Sequence, residues 1–328
     1  MKVKNTVPRF PLLNFFFRRG KDDFPCALRL GCESQSPNRR DACSPCFLQS
    51  SEVPPPKRRL PRPALLAITL FSTGCLHAEG WRDTLTPDTA GPFPLVRAFE
   101  ADYRMGWSDI EAARSKVVID YQGEDIRLAG SGGTTGLARS LWQLDATLDA
   151  TAAMPDFQTI YSIQKESYAK RSLTIQVTSR PDGLWRFREN DPIGDDPPKW
   201  KKIKIWPLRD LFSGVLFIRS KKLAPGESVS TIIYPGDDPF LVEMKSLGTE
   251  KITISGSPRE ALKLDLKIHR INLKKAEALE PHKKFQNGTV WLSDDEDRIP
   301  LRIEVNIFVG YIFAELETIK FQEPPKRD

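Results

Sequence analysis

Residues 261–270 read ALKLDLKIHR and residues 301–309 read LRIEVNIFV. In the first, Leu262, Leu264, Leu266 and Ile268 alternate with Lys263, Asp265, Lys267 and His269. In the second, Leu301, Ile303, Val305, Ile307 and Val309 alternate with Arg302, Glu304, Asn306 and Phe308. A period of two sends one set of side chains into a core and the other toward solvent or a lumen, the pattern of an antiparallel strand. The alternation recurs upstream, with Leu173, Ile175 and Val177 set against Thr174, Gln176 and Thr178. Turn residues punctuate the runs at Gln122-Gly123-Glu124, Pro181-Asp182-Gly183, Pro235-Gly236-Asp237-Asp238 and Gly310. Strands are predicted near 95–106, 110–121, 124–132, 143–152, 157–167, 170–179, 183–189, 227–234, 239–251, 260–271, 287–293, 299–309 and 311–321.

Two segments break the rhythm. Thr134–Trp142 predicts a short helical turn. Pro207–Ser220 predicts a helix, with Pro207 at its first position, Asp210 toward the positive end and Arg219 toward the other. Leu208, Leu211, Phe212 and Val215 recur at helical spacing, and Leu216 and Phe217 widen the apolar surface. Such a helix belongs against or inside a curved sheet. The expected fold class is mainly β: a strongly curved antiparallel sheet, a closed or half barrel or a sandwich, with one or two short helices. A doubly wound α/β fold is excluded.

Of the 328 residues, 40% are hydrophobic and 28% charged, a globular composition. The net charge of +6 is unevenly spread. Residues 1–78 hold 13 Lys+Arg against 5 Asp+Glu, whereas residues 79–328 hold 36 against 38. The main domain has no basic footprint for a nucleic acid. The cysteines are Cys26, Cys32, Cys43, Cys46 and Cys75. Cys43-Ser-Pro-Cys46 has the spacing of a thiolate pair, but its Pro-rich, non-periodic surroundings offer no core to hold a metal. No metal or cofactor is expected.

The leader is informative. Residues 57–78 read KRRLPRPALLAITLFSTGCLHA. Lys57, Arg58, Arg59 and Arg62 precede an eight-residue apolar run, Ala64–Phe71, too short to span a bilayer and of the length of a signal-peptide core. Cleavage after Ala78 would release a chain starting at Glu79. Ser72-Thr73-Gly74-Cys75 also resembles a bacterial lipobox, which makes Cys75 a candidate lipidation site. A signal starting near residue 57 makes residues 1–56 a mis-called start or a disordered extension. The division expected is 1–56, a signal segment 57–78, an extended lead-in 79–94, a single β-rich domain 95–321 and a tail 322–328. The location expected is outside the cytoplasm, in the periplasm or at the outer membrane of a bacterium.

Four segments invite a chemical reading. Asp294-Asp295-Glu296-Asp297 beside Arg298 gathers carboxylates that would suit Ca²⁺, but no Ca²⁺-loop spacing is present, and a tight turn shaped by Asp294, Asp295 and Arg298 is favoured. Lys199, Trp200, Lys202, Lys204 and Trp206 interleave cations with indoles, as at a membrane interface or an anionic headgroup; the plainer reading is a solvated strand leading into the helix. Gly130–Gly136 lacks the lysine of a phosphate loop and reads as a flexible connection. His269 and His282, the only histidines after residue 78, do not make a zinc site or a nucleophilic triad.

The last third carries a recognisable block. Trp291-Leu292-Ser293-Asp294-Asp295, then Arg298-Ile299-Pro300, is followed by LRIEVNIFVG and Ala314-Glu315-Leu316. Upstream stand Asp210-Leu211-Phe212-Ser213, Phe217-Ile218-Arg219-Ser220, Leu223-Ala224-Pro225-Gly226-Glu227 and Gly248-Thr249-Glu250-Lys251. Over roughly residues 95–320 the chain resembles the bacterial exported domain-of-unknown-function family 3108. The resemblance implies an exported, mostly antiparallel β protein of unestablished activity. The functional expectation is a non-catalytic envelope protein that binds an apolar or amphipathic, lipid-like ligand. Phe212, Leu216, Phe217, Trp142 and Trp185, with Trp291, are candidate lining; ordinary core is the plainer role for most of them. The alternatives are a structural or assembly protein that docks envelope components without a small ligand, and a glycan hydrolase using two carboxylates.

Overall fold

Alternating runs joined by short turns pair with their sequence neighbours, because antiparallel hairpins close at the smallest loop entropy. The computed structural model describes residues 80–322, except 109, 193–196, 283 and 286. The expected extension 1–56, the signal segment with Cys75 and tail residues 323–328 lie outside the described residues. Residues 81–322 fall in one compact unit. Its strands are β1 (Phe99–Trp107), β2 (Ile110–Gln122), β3 (Asp125–Thr134), β4 (Leu144–Ala153), β5 (Gln158–Tyr168), β6 (Arg171–Arg180), β7 (Gly183–Asp191), β8 (Lys199–Lys202), β9 (Arg209–Asp210), β10 (Ser228–Tyr234), β11 (Phe240–Ile254), β12 (Ser257–Asn272), β13 (Ala278–Pro281), β14 (Gly288–Ser293), β15 (Pro300–Asn306) and β16 (Tyr311–Phe321). Two helices interrupt them, α1 (Gly136–Leu141) and α2 (Leu211–Arg219).

Among the described residues the strands form one curved sheet, ordered β8-β7-β6-β5-β4-β3-β2-β1-β16-β15-β14-β12-β11-β10-β9, with β13 on β12. The first and last strands meet in its middle, where β1 pairs with β16. All pairings are antiparallel except β9 with β10. Among the described residues the sheet does not close by hydrogen bonds. Its two edges, β8 and β9, are consecutive in sequence, and the residues between them join the ends through side chains. Ile205 and Leu208 are buried with Val177 and Leu184 from one end and Ile232, Tyr234 and Leu241 from the other. Arg188 pairs with Asp237 across the same seam. Gly236, at φ 123, lies so close to Ile175 that a Cβ there would stand 2.8 Å from its side chain.

The inward positions of the two halves converge on α2. Ile126, Leu128, Ala150 and Ala152 from one side and Val229, Ile233, Val242 and Leu264 from the other share a core with Phe212, Leu216, Phe217 and Ile218. Gly214 permits the approach: a Cβ there would stand 2.6 Å from Ile233.

Every expected strand is present, with four differences in detail. α2 begins at Leu211 rather than Pro207, because Arg209 and Asp210 are extended beside β10 and the Asp210 carboxylate caps the helix by accepting from Ser213 N–H at 2.8 Å. Gly130–Thr134 is not a flexible connection but the end of β3, paired with β2 throughout and with β4 as far as Gly133, where a Cβ would stand 2.6 Å from Asp145. β15 ends at Asn306, and Ile307–Gly310 is a turn closed by Ile307 N–H donating to the Gly310 carbonyl at 3.1 Å. The lead-in is less extended than its composition implies. It opens with a 3-10 turn at Trp81–Thr84, and Thr86 then exchanges hydrogen bonds with Ser230 of β10.

Leu208 is 2% exposed and Leu137 77%. Leu208→Ala is expected to lower unfolding stability by about 2–5 kcal/mol, and Leu137→Ala to stay within about 0.5 kcal/mol of the parent. Urea denaturation of both variants checks the seam as a stabilising contact.

Candidate functional site

The helix comes first because the expected lining centred on it. Phe212, Leu216 and Phe217 are each 3% exposed or less and packed in the core. The helix ends are anchored by buried polar groups. At its start, the Asp210 carboxylate accepts from the Thr159 hydroxyl at 3.2 Å as well as from Ser213, and burial pushes its pKa up against those bonds. Next to it the Arg209 guanidinium lies 3.9 Å from the Phe217 ring centre and pairs with Asp88 of the lead-in. At the other end Arg219 donates to the carbonyls of Leu95 at 2.8 Å, Asp297 at 3.0 Å and Glu296 at 3.1 Å. Burial lowers Arg219 to about 10, so it remains charged at neutral pH.

That clamp explains the Trp291–Pro300 block. Its centre is a turn whose side chains satisfy backbone groups. Ser293 Oγ accepts from Ile299 N–H at 2.8 Å and donates to Asp295 at 2.7 Å, and Asp295 accepts from the N–H groups of Asp297 and Arg298. Arg298, at φ 48, pairs with Asp294 at 3.1 Å and sits 5.0 Å from the Phe93 ring centre. Asp297 accepts from Arg97 at 2.8 and 3.1 Å. Trp291 lies on the sheet face opposite Val290 and Leu292. Its indole donates to Glu250 at 2.7 Å under the Lys263 ammonium. The two histidines are likewise accounted for. His282 stacks on Phe285 at 4.3 Å and its Nδ1 accepts from Phe285 N–H, and His269 stands half-buried in β12.

The Lys/Trp segment assembles with a residue expected elsewhere. Register pairs Phe187 with Trp200 and Trp185 with Lys202, so all four share one face of β7–β8. Leu184 is buried on the other face, and Lys199 takes the side of Arg186 and Arg188. On the shared face the Arg180 guanidinium lies 4.7 Å from the Trp185 ring centre and 4.5 Å from that of Trp200, and Phe187 meets Trp200 at 5.4 Å. Asp182 accepts from the Trp185 indole at 2.8 Å and from Lys202 at 3.1 Å. These bonds hold the Asp182 carboxyl below the usual carboxylate range, the Trp185 bond contributing most. Every residue of β8 is exposed, and Trp206 beyond it is 58% exposed. Trp185 therefore belongs to this outer cluster and not with α2. Trp142, half-buried, caps α1 at a distant point of the sheet. The sequence placed Trp185 poorly because alternation tells which residues share a face, not which face is covered.

Two clefts are described, one of about 620 Å³ and one of about 30 Å³, sharing Ser115, Lys116, Ser131 and Gly132. None of the candidate lining residues borders either. The larger is walled by Asp102, Arg114, Lys116, Glu317 and Thr318. Its charges are mutually engaged: Asp102 accepts from Thr318 at 2.7 Å, Glu317 meets Arg114 at 3.1 Å, and Lys116 meets Glu100 at 2.5 Å. Sequence reasoning missed this cleft, since its residues lie on four strands with no local signal. Among the described residues no three His, Cys, Asp or Glu side chains are grouped to hold a metal, and no helix is long and apolar enough to cross a membrane.

The model of a family described as "Protein of unknown function (DUF3108)" matches residues 100–317. No curated protein matches the chain. Among solved structures, the chain is similar to a β-barrel-like protein of the domain of unknown function DUF1849 from Brucella abortus, at 8% identity and a TM-score of 0.46, covering 70% of this chain and 99% of the other. It is also similar to a candidate exported protein with a YmcC-like fold from Bacteroides fragilis, at 12% identity and TM-score 0.33, covering 70% and 99%. A candidate lipoprotein from Parabacteroides distasonis follows at 11% and 0.28, covering 71% and 100%.

The turn makes a pH prediction. Burial raises the Asp297 carboxyl, but the bonds from Arg97 and the charge of Arg219 outweigh it, so its pKa in the folded chain is below the ordinary value. A depressed carboxylate contributes stability that is present above the unfolded pKa of about 3.9 and is lost as pH falls through the folded value. Asp297→Asn is expected to be less stable than the parent at pH 7, with the gap narrowing below about pH 4. Thermal melts across that range read it directly.

Proposed function

The chain belongs to the DUF3108 family, and from that premise we propose that it is an exported cell-envelope protein that works by binding, through the Trp185–Trp200 face, the acidic headgroups of a lipid surface. The observation that carries this reading is the exposed outer face of β7–β8, where Arg180 stands between two indoles and Lys202 beside them. Indoles favour the headgroup layer, and guanidinium and ammonium groups meet its phosphates. Lys204 and Trp206 follow directly in the chain. The leader supports export.

The geometry favours this over an acyl carrier with an interior pocket, because the apolar groups of α2 are occupied with core and the larger cleft has charged walls. It also favours binding over carboxylate hydrolysis, since Asp102 and Glu317 are each held by a partner in that cleft.

The test compares vesicles of phosphatidylcholine with vesicles containing phosphatidylglycerol, by flotation. Binding is expected to be stronger to the acidic vesicles and to weaken with added salt. Trp200→Ala and Lys202→Ala are each expected to reduce the acidic-lipid advantage about fivefold, on the order of 1 kcal/mol per lost contact. Equal binding to the two vesicle types would sink the proposal.

A further inference from the structure

The turn at Ile307–Gly310, where alternation predicted a continuing strand, leaves Phe308 93% and Val309 58% exposed. They are not alone at that end of the sheet. Strands β4, β3, β2, β1, β16 and β15 are consecutive neighbours. The β3–β4, β1–β2 and β15–β16 connections therefore leave the same end side by side, at spacings of about 10 Å. The first holds α1, in which Leu137 and Leu141, four residues apart on one helical face, are 77% and 79% exposed and no residue is buried. The second is flanked by Ile110, the first residue of β2, 63% exposed. The tips are braced at their bases. The Trp107 indole donates to the Val309 carbonyl at 2.8 Å, and Thr135 N–H donates to the Ala112 carbonyl at 2.9 Å.

We propose that this row of three tips is a bilayer-insertion surface, its partner the interfacial layer of a lipid membrane. Contiguous exposed apolar groups mark contact sites. A stable protein interface needs about 800 Å² and 20–30 residues a side, and five projecting side chains on three turns fall far short of it. A bilayer accepts projecting apolar groups with no matching shape. The charges fit the same partner. α1 carries the single charge of Arg139, Phe308-Val309-Gly310 carries none, and the β1–β2 connection carries the one acidic residue, Asp109. Glu111 beside Ile110 is bridged by Arg114 at 2.7 Å. On one side of the row, the β5–β6 connection presents Lys170, exposed, where headgroups would lie, and on the other the link from β12 to β14 carries Lys274 and Lys275 with Glu277. Trp107 and Tyr311, both half-buried at the base of the tips, sit at the level where interfacial aromatics gather.

The inference does not rest on the Trp185–Trp200 face and is read differently. The full chain carrying Cys75→Ser, so that no acyl anchor contributes, is floated with phosphatidylcholine vesicles at high salt. Binding is expected to persist there, to fall about tenfold or more in Phe308→Ser/Leu141→Ser, and to be unchanged in Trp200→Ala. The melting temperature of the double variant should match the parent, since both positions are exposed. Phe308→Trp should become quenched by brominated lipid beyond the parent's own signal. Three results would overturn the assignment: no binding to the uncharged vesicles, an unquenched Phe308→Trp, or a lipid-free dimer that the double variant abolishes, which would give the tips to a second copy.

Discussion

A sheet of this length has to bury one face, and the packing of α2 inside the curve is what allows it. Phe212, Leu216, Phe217 and Ile218 meet inward side chains from both halves of the sheet. Without that insert the inward rows of β3–β4 and of β10–β12 would face each other across water. Gly214 shows how tight the fit is. Glycine inside a helix costs about 1 kcal/mol relative to alanine, yet a Cβ there would collide with Ile233. Arg219 then ties the helix to both the start of the domain and the 294–297 turn through three main-chain carbonyls. The most distinctive block of the sequence is thus a fastening for the helix. The carboxylates of Asp294, Asp295 and Asp297 are spent on backbone N–H groups, a hydroxyl and arginines rather than held ready for a ligand.

The remaining problem is the edges. Unpaired strand edges invite association, and among the described residues the main strand path ends in two. The chain places them next to each other in sequence and seals them with Ile205 and Leu208. The lysines of β8 discourage strand addition at the outer edge. The same lysines, with the aromatic residues of β7–β8, make that edge a surface for acidic groups. The protective and the binding roles ask for the same residue types, and for that reason the segment supported two readings in the sequence.

The two proposed contacts draw on different physics. The β7–β8 face depends on charge and is screened by salt. The tips depend on apolar area and are not. They sit on different connections of the sheet, so each can be removed without disturbing the other.

Strand positions were legible in the sequence because alternation and turn residues act locally. Leu262–Ile268 and Leu173–Val177 could take no other periodic structure, and Asp210 and Arg219 marked the helix ends by charge. The 294–298 turn was legible for the same reason, its Ser and Asp side chains bonding within a few residues of themselves. Alternation was silent on which face would be covered. It grouped Trp185 with the helix side chains, and only the register of β7 with β8 and Trp200 moved it to the exposed face. It ran β15 on to Val309, and only the pairing with β16 ended that strand at Asn306 and turned Phe308 outward. It read Gly130–Gly136 as a flexible connection, where β3 stays paired and a Cβ at Gly133 would stand 2.6 Å from Asp145. Local propensity and period belong to the chain. Burial, edges and exposed tips depend on partners distant in sequence, and those only the folded sheet brings together.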